Sequence, residues 1–139
     1  MSHITLIRHG QANSTATDEA SYDRLSALGH KQAKWLGEHL IDTNQMHQNL
    51  YTGTLRRHAE TADGMATGLT PIRDERLNEL EYFTLAIALE AEHGLAMPTQ
   101  QSEFVHHLPL VFEAWKADKI EGAPERFSEF ETRVNDVIK

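Results

Sequence analysis

Apolar positions along this chain switch repeatedly between a strand-like run and a helical spacing. Residues 3–7, carrying Ile4, Leu6 and Ile7, form a short apolar run that predicts a first strand, and it stops abruptly at Arg8, His9 and Gly10. Residues 11–24 are rich in Ser, Thr, Asp and Asn and read as a loop. Ser26 is a candidate N-cap, and Leu28, Trp35, Leu36 and Leu40 give the helix behind it an apolar stripe. Met46 to Tyr51 reads as a second strand, weakened by its amide side chains. Thr54 is a candidate N-cap for a further helix, with Leu55, Ala62, Met65, Ala66 and Leu69 inward and Gly68 near its end. Pro71 to Arg73 predicts a brief third strand. Thr84 to Lys119 reads as mostly helical, broken at Gly94 and Pro98. After Gly122-Ala123-Pro124 comes a last helix, whose Phe127, Phe130, Val134, Val137 and Ile138 share one face.

Strands alternating with helices predict an α/β fold in one domain over residues 1–139. No internal repeat or low-complexity linker interrupts it. Three short strands bury little of the helices around them, so the pattern reads as an incomplete sandwich. Composition narrows the partners. Thirteen basic against 21 acidic residues leave a net charge of −8, which argues against nucleic acid and anionic membranes as partners. A small anion still fits, because a local arginine pocket can reverse the field. The chain has no cysteine, which excludes disulfides and thiolate chemistry. Met1-Ser2-His3 leads straight into the first strand without a basic and apolar leader, so the expected compartment is the cytoplasm.

The chemistry-bearing residues sit where an α/β sheet places its ligands, at the carboxyl end of a strand. His9 can act there as a nucleophile, Arg8 can hold an anion, and Gly10 permits a turn close to the ligand. Arg56 and Arg57 fall in the first turn of the second helix, where the dipole disfavours positive charge. Two readings compete. Either both face solvent with Glu60 as partner, or one faces an anion that offsets the repulsion, as a guanidinium fork does for a phosphoryl group. The remaining histidines show no spacing typical of a metal site.

Four segments together resemble one family. Leu6-Ile7-Arg8-His9-Gly10-Gln11 resembles the signature of the histidine phosphatase superfamily, which includes phosphoglycerate mutase. Tyr22 to Ala33 resembles its segment ending in Leu-x-x-Gly-x-x-Gln-Ala. Gly53-Thr54-Leu55-Arg56-Arg57-His58-Ala59-Glu60-Thr61-Ala62 resembles Ser-Pro-Leu-x-Arg-Ala-x-Gln-Thr-Ala, and Leu77-Asn78-Glu79-Leu80 resembles the acidic motif after strand three. The resemblance implies a three-layer α/β/α sandwich of the phosphoglycerate mutase-like type, here without its last strand or strands. It implies His9 as phosphoryl-accepting nucleophile and Glu79 as general acid, then base for water. Arg8 and Arg57 would clamp the phosphate, with Arg56 toward solvent, and Gly10 and Asn13 would complete the cradle, with Ser14 a weaker candidate. No cofactor and no metal is implied.

The departures are specific. Thr54 stands where the family has Pro, and His58 where it has Ala; His58 reads as a surface residue near the pocket. Tyr82 to Ala86 replaces a Gly-x-x-Glu-Gly stretch. The family's second catalytic histidine would follow the last helix, and no such position occurs by Lys139. His106 and His107 precede that helix and are poor substitutes. The expected activity is hydrolysis of small phosphomonoesters, with mutase activity less favoured. The alternative is an impaired member that binds a phosphorylated ligand or partner without turnover. An unpaired sheet edge makes a homodimer a further expectation.

Overall fold

The computed structural model describes residues 2–139, which divide into two compact units: residues 2–16 with 20–78, and residues 17–19 with 79–139. The first unit holds α1 (Glu19–Tyr22, whose first residue falls in the second), α2 (Ala27–Asp42), β1 (Tyr51–Thr52), α3 (Arg56–Met65), β2 (Ile72–Arg73) and a 3-10 turn (Glu75–Leu77). The second holds α4 (Tyr82–His93), α5 (Gln101–Lys116) and α6 (Phe127–Ile138).

β1 and β2 pair in parallel, Tyr51 with Ile72 and Thr52 with Arg73. The backbone between them crosses through α3, the right-sized connection for parallel strands. The ladder is shorter than the sequence predicts. Residues 3–7 form no strand: Ile4 is 87% and Leu6 92% exposed, and the segment meets its neighbour through side chains, Thr5 Oγ1 with His47 Nε2 at 2.8 Å. An apolar run becomes a strand only with a backbone to pair with, and β1 is paired to β2 instead. The second predicted strand keeps only Tyr51, extended by Thr52, while the amide-rich residues before it stay in loop.

The first helix also buries a different face from the one its large residues mark. Ser26 caps α2 as predicted, its hydroxyl accepting from Gly29 N at 3.0 Å. The buried positions are Gly29, Ala33, Gly37 and Leu40, while Leu28 and Trp35 are exposed. Small residues let α3 approach closely, and that approach outweighs burial of an indole. α3 answers with Arg57, Thr61, Ala62 and Met65. Its C-cap is Ala66, in the left-handed region at φ 49°, two residues before the glycine that the sequence suggests.

The core of the second unit is apolar and aromatic. Leu85, Ala86 and Leu89 of α4 meet Val111 and Trp115 of α5, with Ile120 beyond. Phe127 and Phe130 of α6 each lie 5.2 Å from the Trp115 ring, and the indole N–H donates to Glu125 O at 2.9 Å. Among the described residues no helix is long and apolar enough to cross a membrane.

His107 lies in this core, 5% exposed, its Nδ1 hydrogen-bonded to the Tyr82 hydroxyl at 2.8 Å. Burial pushes its pKa below the ordinary 6.5, outweighing the opposing pull of Glu90. The same burial pushes Tyr82 up to about 12. Below about pH 6.5 the unfolded chain takes up a proton that folded His107 resists, so stability is lost as pH falls. The melting temperature is therefore expected to drop more between pH 7.5 and pH 5.5 in the unchanged chain than in His107→Gln; equal drops would contradict it.

A buried arginine beside the Arg-His-Gly turn

α3 begins with two arginines, and the anion that offsets them is Asp23. Its carboxylate accepts from the backbone N–H of Arg56 (3.0 Å) and of Arg57 (3.0 Å), capping α3 in place of the predicted Thr54. Leu55 occupies the cap position and makes no side-chain cap. Thr54 instead donates its N–H to Asn78 Oδ1 at 2.7 Å, and its hydroxyl accepts from Asn78 Nδ2 at 2.8 Å. Asp23 Oδ1 also receives Arg57 Nη1 at 3.1 Å. Arg57 is 1% exposed, so this carboxylate neutralises a charge that water cannot reach. The Arg57 guanidinium lies over the Tyr22 ring, 4.8 Å from its centroid.

Arg56 takes the other reading. It is exposed and pairs with Glu60 at 3.2 Å, one turn on. Glu60 Oε1 also accepts Leu25 N at 3.1 Å, and its Oε2 lies 3.4 Å from His30 Nε2. α3 thus grips the segment before α2 through both Asp23 and Glu60.

The Arg-His-Gly turn is held from two sides. Gly10 N–H donates to Thr61 Oγ1 at 3.1 Å, and that hydroxyl donates to Arg57 O at 2.7 Å. A Cβ on Gly10 would strike the Gly29 carbonyl, and one on Gly29 would collide with the Gln11 carbonyl. The turn and the first turn of α2 touch backbone to backbone, which only glycines permit. His9 Nδ1 lies 2.6 Å from Gly10 O. A carbonyl can only accept, so in the neutral ring Nδ1 carries the hydrogen and Nε2 the lone pair. Tyr22 packs edge-on to His9 at 6.4 Å and His58 beside it at 5.9 Å.

His9 and Arg57 therefore both lie against the Tyr22 ring in the first unit, with Gly10 next to His9 in the chain. Arg8 is exposed on the same turn. Asn13 lies in the following loop, where Nδ2 donates to Ser21 O at 2.9 Å and Oδ1 accepts from Thr15 N and Oγ1, so its amide mainly shapes the loop. Glu79 opens the main segment of the second unit, half-buried just before α4. Tyr22, Asp23 and Thr61 escape the sequence reading as site residues. The one signal for Asp23 is the uncompensated pair of arginines in the first turn of α3.

The chain matches the model of the histidine phosphatase superfamily (branch 1) over residues 4–139. It belongs to that superfamily. Among solved structures it is similar to a mycobacterial glucosyl-3-phosphoglycerate phosphatase in complex with inorganic phosphate: 24% identity, TM-score 0.56, covering 94% of this chain and 57% of that one. It is similar to the same phosphatase in complex with VO3, at 22% identity and TM-score 0.57, covering 94% of this chain and 62% of that one. A structure described as mycobacterial hydrolase 2 gives 22% identity and TM-score 0.59, covering 94% of this chain and 53% of that one. The chain thus spans a little over half the length of these structures. A search of the curated proteins finds no match.

Removing Asp23 leaves Arg57 buried without its carboxylate and two helix N–H groups uncapped. Asp23→Ala is expected to cost about 3 kcal/mol in denaturant unfolding, since a broken buried pair falls in that range. A cost under about 1 kcal/mol would show that the pair is dispensable.

Proposed function

We propose that this chain is a phosphatase of small phosphomonoesters that works through a phosphohistidine on His9. The single observation that supports this most is the hydrogen bond from Nδ1 to the Gly10 carbonyl, which leaves Nε2 as the nucleophilic nitrogen. In the first step Nε2 forms a bond to phosphorus as the ester P–O bond breaks. Glu79 protonates the departing oxygen. Water then attacks the phosphohistidine, giving its proton to Glu79 and releasing phosphate from Nε2.

Charge on the transferring group is carried by Arg57 and Arg8. Arg57 suits this role because Asp23 and the Tyr22 ring fix its plane before substrate arrives, so little reorganisation is needed. Arg8 adds an exposed cation next to His9. Gly10 allows close approach, and Asn13 holds the loop beyond. The superfamily match and the phosphate and VO3 complexes of similar structures support a phosphoryl ligand. Replacement of Gly-x-x-Glu-Gly by Tyr82 to Ala86 favours hydrolysis over mutase chemistry.

Hydrolysis of an aryl phosphate is expected to fall at least about a thousandfold in His9→Ala, because the nucleophile has no substitute. Turnover that survives in this variant would overturn the phosphohistidine route. A folded wild-type chain that binds phosphate without hydrolysing it would point to the binding role instead.

A further inference from the structure

His58 stands where the family motif has alanine, and the structure gives it a place that a surface residue would not need. It lies in the first turn of α3, next in sequence to Arg57, half-buried, with its ring 5.9 Å from that of His9 and tilted 36° to it. The backbone is shaped to admit it. Gly53 is buried against the His58 ring, and a Cβ there would collide with both His58 Nδ1 and Asn78 Oδ1. Asn78 is itself fixed by its two hydrogen bonds to Thr54. The imidazole therefore packs against Gly53 near an anchored amide, with the His9 ring 5.9 Å away.

We propose that His58 is a second imidazole of the phosphoryl pocket, donating a hydrogen bond to an oxygen of the group bound at His9 Nε2. This rests on the reading of His9 as phosphoryl acceptor. A phosphoryl group on one ring projects its oxygens across a gap of this size. An imidazole N–H supplies a directional donor there, beside the arginines that supply charge. The ligand class is a tetrahedral oxyanion: a phosphomonoester, inorganic phosphate, or vanadate in their place.

The test is titration of the full chain with orthovanadate, alongside His58→Ala, His58→Gln and Arg8→Ala, with melting temperatures measured for each. His58→Ala is expected to weaken binding about tenfold, as the loss of one hydrogen bond to a charged ligand does. His58→Gln, which keeps an N–H donor, is expected to restore most of it. Unchanged affinity in His58→Ala while Arg8→Ala binds more weakly would overturn the role of His58 alone. Equal losses in the alanine and glutamine variants would also overturn it, since the effect would then be one of shape. No vanadate binding by the unchanged chain would overturn the phosphoryl pocket and, with it, the part given to His58.

Discussion

The Asp23 carboxylate is the anchor on which the first unit depends. One group caps α3, neutralises an arginine that is 1% exposed, and ties the loop before α2 to the helix that faces it. Without it the start of α3 would hold two positive side chains against the positive end of a helix dipole. With it, Arg57 becomes a fixed object on which Tyr22 stacks and around which His9 is placed. Thr61 carries the constraint onward by linking Arg57 O to Gly10 N. The Arg-His-Gly backbone is thus set by polar contacts from a helix rather than by strand pairing.

That division explains which features were legible in the sequence. The Arg-His-Gly turn, the Leu-x-x-Gly segment and the arginine motif all stand out, because each needs particular residue types at close spacing. Arg56 and Arg57 separate as expected, one toward solvent with Glu60 and one inward. The partner of Arg57 was not legible, since Asp23 is 34 positions away and looks like any other loop aspartate. Large apolar residues misled twice. Trp35 marks a face of α2 that is not buried, because helices that approach closely do so over Gly29, Ala33 and Gly37. The run around Ile4 and Leu6 has strand composition but no ladder, since strand formation is decided by a neighbour that composition does not reveal.

His58 and His107 show the same limit in opposite directions. Both lie in helices. His58, which reads as a surface residue, lies half-buried beside His9. His107, weighed as a stand-in for a catalytic histidine, lies in an apolar core against Tyr82. Spacing places a histidine on an element, and only packing tells whether water, core or a reacting group lies beyond it.

The proposed chemistry turns on His9 offering Nε2 to phosphorus while Arg57, locked by Asp23, holds the phosphoryl oxygens. A crystal structure of the chain with orthovanadate tests this most directly. The account expects vanadium bonded to His9 Nε2, with Nδ1 still donating to the Gly10 carbonyl and vanadate oxygens on the Arg57 guanidinium. Vanadate bonded through Nδ1, or bound away from His9 altogether, would contradict it.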